Sequence, residues 1–139
     1  MKVKLMDLLD AMNYTGIGVH FLYHLKTGEI VMLSDKVFGF GRSDALERDI
    51  RKNPDAYIDL PGEYEIDELG MMDTYAENFP ESSFKDALLD SLEGRSPYQA
   101  FEELLEKEGL LEDWKQYRLS EFSWIARKWA ADNGITVEE

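Results

Sequence analysis

The spacing of apolar residues changes along the chain from a strand-like to a helix-like period. Alternating apolar and aromatic residues fill GVHFLYHL (18–25) and EIVMLSD (29–35), on either side of Lys26-Thr27-Gly28. Two such runs around a short loop that contains glycine predict a β-hairpin with a three-residue loop. In that register one face carries Phe21, Tyr23 and Val31, and the other carries Leu22, Ile30 and Met32. The segment AYIDLP (56–61) predicts a third strand, which Pro61-Gly62 ends.

Apolar residues at helical spacing account for most of the remaining chain. They predict short helices at residues 3–12 and 43–53, a helix from about Glu65 to Phe79, and another that Ser82 or Ser83 caps. The clearest boundaries lie in residues 94–134, which hold all three tryptophans. There, Ser96, Pro97 and Gln99 predict a capped helix start, and Gly109 and Gly134 predict the ends of two helices.

These elements predict an α+β fold in a single domain of residues 1–139. A small antiparallel sheet, made of the N-terminal hairpin plus one further strand, is packed with a C-terminal set of about four helices. The first of the last two helices buries Tyr98, Phe101, Leu104 and Leu105. The last helix buries a stripe made of Trp114, Phe122, Ile125 and Trp129. Tyr117 and Trp124 lie at the edge of this stripe. We expect the tryptophans to form a buried scaffold rather than a surface on which bases stack, because no basic groove accompanies them.

Charge narrows the classes of partner. The 139-residue chain carries a net charge of −14, and residues 55–93 hold twelve Asp and Glu against the single Lys85. Phosphate backbones are bound by Lys and Arg, so we expect no duplex nucleic acid as partner, and a basic protein surface fits better.

No apolar run exceeds four residues, so we expect no membrane span. The chain has no cysteine, which excludes disulfides and thiolate chemistry and favours a cytoplasmic protein.

Two patterns look like sites but lack the required chemistry. His20 and His24 are the only histidines, and in a strand their spacing separates them by about 13 Å, too far to share one metal ion. FGFGR (38–42) follows a strand as a phosphate loop would, but Asp44 stands in place of the third glycine and no Lys-Ser/Thr pair follows. The sequence therefore predicts neither a metal site nor a cofactor.

Arg118 and Glu121 are the first candidates for binding residues. On a helical wheel they fall inside the apolar stripe of the last helix, between Trp114 and Ile125. Buried charges persist only when they are paired, and these two are three residues apart. A structural ion pair, an arginine stacked on a tryptophan, a contact with a partner and a catalytic group each explain this position. If one residue is functional, we expect it to be Arg118.

An acidic cluster supplies the other candidates, Glu65, Asp67 and Glu68, with Asp59 and Glu63 nearby. Carboxylates at this density could bind a hard cation or act as an acid and base pair. The cluster lacks the alternating ligands, glycine and final Glu of a calcium loop. Acids in the first turn of a helix also complement its dipole, and this simpler interpretation is favoured.

Several of these segments resemble one bacterial family, the uncharacterised protein family numbered about 0158. LEGRSPYQAF (92–101), DWKQYR (113–118) and IARKWAADNGI (125–135) are similar to its C-terminal half, and the order of MKVKLMDLLDAM, the TGE of the hairpin, AYIDLP and EYEID is similar upstream. The resemblance covers nearly the whole chain and is poorest at residues 35–54. Family members tend to have a basic residue where this chain has Ala56. The resemblance implies a compact cytosolic domain and brings no catalytic residues.

Three functional hypotheses follow. The leading one is a non-enzymatic interaction or regulatory module that presents its acidic middle helices to a basic protein surface. The second is an acidic inhibitor that mimics nucleic acid, with its carboxylates on one exposed face. The third is an enzyme that relies on carboxylates and Arg118, which requires a pocket where these groups converge. Homo-oligomerisation is compatible with all three.

Overall fold

The computed structural model describes residues 1–16, 18–34 and 44–139. The chain divides into two compact units. The first, called the sheet unit here, comprises Met1–Ile66 and Phe122–Glu139, and the second, the helical unit, comprises Asp67–Glu121. That residues 1–139 form a single domain stays a prediction.

The sheet unit contains all five described strands. In chain order its elements are β1 (Lys2–Lys4), α1 (Leu5–Tyr14), β2 (Val19–His24), β3 (Ile30–Ser34), α2 (Asp44–Lys52), a short 3₁₀ turn (Pro54–Ala56), β4 (Tyr57–Asp59), α3 (Glu63–Ile66) and β5 (Thr136–Glu138). β3, β2 and β4 form an antiparallel sheet in that order, and β1 pairs with β5 in parallel. The helical unit contains α4 (Glu68–Glu77), α5 (Ser83–Ser91) and α6 (Pro97–Lys107), and α7 (Leu111–Asp132) begins in it and ends in the sheet unit.

The predicted α+β class is therefore confirmed, with the hairpin, the third strand and the C-terminal helices where the pattern placed them. The register of the hairpin differs from the predicted one. Tyr23 pairs with Ile30 and Leu22 with Val31, so the loop holds four residues, 25–28, instead of three. Residues opposite one another share a face of the sheet, and one extra loop residue reverses the faces of the second strand. The predicted grouping of Val31 with Tyr23 is therefore wrong.

Tyr23 lies at the centre of the sheet unit. Its side chain is fully buried, its hydroxyl donates to Lys2 O at 2.8 Å, and its ring meets the Trp129 ring edge-on at 6.0 Å. The Trp129 indole N–H in turn donates to Asp59 O at 2.7 Å, which fixes the end of α7 against β4. The other buried apolar side chains of this unit include Val3, Leu8, Leu9, Met12, Leu22, Leu60, Ile66, Phe122 and Ile135.

An aromatic cluster forms the core of the helical unit. Tyr75 contacts Phe101, Trp114 and Tyr117 at ring-centroid distances of 6.4, 5.2 and 5.2 Å. Aromatic pairs in these tilted and edge-on arrangements stabilise a core beyond the area that they bury. Burial of Phe101, Leu105 and Trp114 confirms those predictions, whereas Tyr98, expected on the same buried face, is 49% exposed.

The helix boundaries follow the predicted signals at the start of α5 and at the ends of α6 and α7, but not at the start of α6. The Ser82 hydroxyl accepts from Lys85 N–H at 3.1 Å and so caps α5. Gly109 and Gly134 have φ values of 71° and 68°, the left-handed conformation that helix ends favour. Ser96 stands at the N-cap of α6 but makes no side-chain cap hydrogen bond, and the Gln99 amide donates to Glu103 instead. The reciprocal cap predicted for Ser96 and Gln99 is therefore wrong.

A hydrogen bond between α2 and β4 should make the stability of the sheet unit depend on pH. The Tyr57 hydroxyl donates to Asp49 Oδ2. This bond is the main cause that lowers the pKa of Asp49 below 3.8 and raises the pKa of Tyr57 to about 12. The tyrosine contribution is therefore present below about pH 10 and lost as pH rises towards 12, and the aspartate contribution is lost as pH falls below about 4.

We expect Tyr57→Phe to reduce the free energy of unfolding at neutral pH and to flatten its decline at both pH extremes. Urea denaturation followed by circular dichroism between pH 3 and 11 measures this. Tyr64→Phe is the matched control, because Tyr64 is 97% exposed. Parallel curves for the wild type and Tyr57→Phe would contradict the assignment.

Candidate functional site

Arg118 and Glu68, two of the five predicted binding residues, form an ion pair. The Arg118 Nε atom lies 2.8 Å from Glu68 Oε2, and its Nη2 atom lies 3.3 Å from Oε1. Each side chain is 26% exposed, and both belong to the helical unit. A guanidinium that meets a carboxylate through two nitrogens makes a directional ion pair, stronger than a single exposed contact. This geometry joins α4 to α7.

Glu121 does not form the expected salt bridge with Arg118 and interacts with Tyr117 instead. Burial, followed by the charge of Glu121 and its hydrogen bond, raises the pKa of Tyr117 above its usual value. Arg118 pairs with Glu68 from another helix and not with Glu121 at the i, i+3 spacing. The ion pair agrees with the first of the four interpretations, and a binding role for Arg118 stays a prediction.

Asp67 and Glu65 take part in helix-start hydrogen bonds. Asp67 adopts a left-handed conformation with φ of 45°, and its Oδ1 atom accepts from Gly70 N–H at 3.2 Å. A side chain at Gly70 would place a Cβ 2.2 Å from Asp67 Oδ2 and would therefore displace this capping carboxylate. The break at Asp67 divides the helix predicted from Glu65 to Phe79 into α3 and α4. In the sheet unit, Glu65 Oε2 accepts from Gly62 N–H at 3.1 Å, and both carboxylates complement a helix dipole.

A second partly buried polar contact lies in the same unit. The Tyr75 hydroxyl donates to Asp113 Oδ2 at 2.6 Å. Burial is the main cause that raises the pKa of Tyr75, and the Asp113 hydrogen bond adds to it. The two residues are 38 positions apart in the chain, so no local pattern indicates the bond.

The histidines lie on β2, as predicted, and the structure gives one of them a structural role. His24 Nδ1 accepts from Lys26 N–H at 3.1 Å and Thr27 N–H at 3.2 Å, which closes the hairpin loop. Within residues 1–16, 18–34 and 44–139, no group of three or more His, Asp and Glu is placed to hold a metal ion. In the same residues no helix is both long and apolar enough to cross a membrane. FGFGR lies outside the described residues.

Exposed carboxylates cover α4, α5 and the turns that follow each. We call this set the acidic surface: Asp73, Glu77, Glu81, Asp86, Asp90 and Glu93. Lys85, the one cation among residues 55–93, is buried and its Nζ lies 2.9 Å from Glu81 and 3.5 Å from Glu77. The segment therefore exposes acids while it turns its cation inwards. The whole helical unit holds fifteen acids and five cations, a net charge of −10, and twelve of those acids are exposed.

The tryptophans do not form the single buried scaffold that the sequence predicts. Trp114 is 1% exposed, but Trp124 is 62% exposed. In the sheet unit, Trp124 and Trp129 line a cavity of about 380 Å³ with Asp59, Glu65 and Asp132. The pattern gives no signal of a functional role for Trp124, because a large aromatic residue at helical spacing indicates a core position. Its neighbours Lys128 and Asp132, each a turn further along the helix, are the signal that this face meets water.

The fold and these charged groups define an α+β protein with an acidic helical surface. The model of the Uncharacterised protein family (UPF0158) matches residues 1–138, so the chain belongs to this family. The resemblance seen in the C-terminal helices is thereby confirmed. No curated protein matches the chain, and no solved structure does.

The Arg118–Glu68 geometry predicts a measurable coupling. A double-mutant cycle with Arg118→Ala and Glu68→Ala should give a coupling free energy of about 1 kcal/mol, because both groups are partly buried and the contact is bidentate. The measurement is urea denaturation of the four proteins at low salt.

The matched control cycle combines Arg118→Ala with Glu121→Ala. Its coupling should stay below about 0.5 kcal/mol, the value for a helical pair at this spacing. Equal couplings in the two cycles would contradict the assigned partner.

Proposed function

We propose that this protein is a non-enzymatic interaction or regulatory module of the bacterial cytoplasm that binds a basic surface of a partner protein. One observation carries the proposal. Residues 55–93 expose eleven of their twelve acids, whereas their one cation, Lys85, is buried and contacts Glu77 and Glu81. A surface so depleted of positive charge attracts a positive partner and repels most other protein surfaces.

The same charge disfavours two other classes of partner. Nucleic acids are bound when Lys and Arg displace counterions from phosphates, and the helical unit has a net charge of −10. Anionic membrane surfaces attract basic segments for the same electrostatic reason, and therefore repel the acidic surface. A basic protein remains the partner whose charge complements the acidic surface.

The proposal predicts salt-dependent capture of a basic partner. The tagged full-length protein should retain such a partner from a lysate of its native host at about 50 mM salt and lose it near 0.5 M. The reason is that the distance over which exposed charges attract one another is about 10 Å at 0.1 M and becomes shorter at higher salt. Mass spectrometry of the eluates identifies the captured protein, whose affinity is then measured with purified components. Capture that is insensitive to salt would contradict the proposal.

Two variants, each of which removes three exposed acids, test whether the acidic surface is the part of the protein that binds the partner. Asp73→Asn/Asp86→Asn/Asp90→Asn removes three exposed acids from α4 and α5, and should weaken binding by about 3- to 150-fold at about 0.2–1 kcal/mol for each charge. Asp7→Asn/Asp10→Asn/Glu138→Gln removes three exposed acids from the sheet unit and should bind like the wild type. Equal weakening by both variants would mean that net charge alone acts. Displacement of the partner by duplex DNA would favour the nucleic-acid mimic instead.

A further inference from the structure

The cavity in the sheet unit has an aromatic side that is already held in place. Trp129 is half-buried, donates its indole N–H to Asp59 O at 2.7 Å and packs against Tyr23. Its ring is therefore positioned without a ligand. Trp124 and Ile125, from the adjoining turn of α7, complete this side of the cavity. The volume of about 380 Å³ is near the lower end of the range for ligand pockets, about 300–1,000 Å³.

Trp124 is the unusual member of this wall. Its side chain is 62% exposed, although tryptophan is the residue whose burial contributes most apolar area. Large aromatic residues left in water beside a preformed cavity are typical of binding sites rather than of structural positions.

Carboxylates dominate the charged groups around the cavity. Asp59, Glu65 and Asp132 line it together with one cation, Lys128, whose Nζ lies 2.7 Å from Asp132 Oδ2. The ammonium is thus already paired, and the remaining two carboxylates give the rim a net negative charge. Glu65 uses Oε2 to accept from Gly62 N–H, and its other oxygen keeps its acceptor capacity. An anionic ligand would be repelled at this rim.

A flat indole wall beside open carboxylates matches one side chain in particular. A guanidinium is planar, remains charged at all physiological pH values, stacks on aromatic faces and donates two parallel hydrogen bonds to a carboxylate. A lysine ammonium is more strongly hydrated and cannot stack in this way. A neutral apolar group would form no ion pair with these carboxylates.

We propose that this cavity binds an arginine side chain of the basic partner protein, with the guanidinium between the Trp124 ring and the carboxylates of Glu65 and Asp59. This inference rests on the proposed function, because that function identifies the partner as a basic protein. It adds a specific recognition element to the electrostatic attraction, since stacking and hydrogen bonding distinguish an arginine from other positive charges.

Defined peptides test the site without a known partner. The probes are Ac-Gly-Arg-Gly-NH₂, the same peptide with citrulline, which keeps the shape and removes the charge, and the same peptide with lysine. Binding to the full-length protein is followed by the ¹H–¹⁵N resonances of the tryptophan indoles. The arginine peptide should shift the Trp124 and Trp129 resonances with an affinity about tenfold or more above that of the citrulline peptide, and the lysine peptide should be intermediate.

Three variants assign the binding to these residues. Trp124→Ala and Glu65→Gln should each weaken arginine-peptide binding by about 5- to 30-fold, because they remove a stacking face and a charged acceptor. The amide oxygen of Gln can still accept from Gly62 N–H, which keeps the start of α3 intact. Leu119→Ala is the matched control, an exposed apolar residue of the same helix, and should bind like the wild type. Thermal unfolding checks that all three variants fold.

The outcomes separate this proposal from the proposed function. Equal binding of the arginine and citrulline peptides, or undiminished binding by Trp124→Ala, would overturn the arginine site while leaving salt-dependent capture through the acidic surface in place. Arginine-peptide binding that depends on Trp124, found together with unchanged capture by the Asp73/Asp86/Asp90 variant, would support the site and contradict the acidic surface. A wild-type dimer that Trp124→Ala dissociates would show that a second copy covers the tryptophan, and would overturn the proposal.

Discussion

The aromatic cluster of the helical unit must offset the mutual repulsion of the acids around it. That unit has a net charge of −10 over 55 residues, and like charges at this density destabilise a compact state. The cluster of Tyr75, Phe101 and Trp114 supplies the opposing free energy, because buried aromatic side chains contribute the largest apolar areas in a core. Without this burial the acids could not be held together on α4 and α5.

Two cations that are buried or partly buried reduce the repulsion between the acids of the helical unit. Lys85 is held by Glu77 and Glu81, and Arg118 is held by Glu68. The Glu81 contact is the main cause that raises the pKa of Lys85, so the ammonium stays charged. Each cation thus neutralises part of the acidic charge and ties two segments of the unit together. Placed on the surface, the same cations would have weakened the negative potential that the proposed function requires.

Local patterns predicted the elements well, and pairings between distant residues poorly. The helices and the hairpin follow from periodicity and turn residues, which act within a few positions. The parallel pairing of β1 with β5 joins the two ends of the chain through three-residue strands, and such short segments carry no pattern of their own. The partner of Arg118 lies 50 residues away, so helical spacing indicated that the arginine needs a partner but pointed to the wrong one, Glu121.

The last helix shows why size is a poor guide to burial. Its buried positions are Trp114, Phe122, Ala126 and Ala130, spaced by multiples of four residues, with the half-buried Arg118 in the same line. The prediction chose the large residues and missed the alanines, although small side chains are among the most often buried. Since the alanines occupy the buried line of the second half, Trp124 is left on another face of α7. Its exposure is therefore set by the helix itself, and the helix positions that line the cavity beside it, which include Trp124, Ile125 and Lys128, lie outside the buried line.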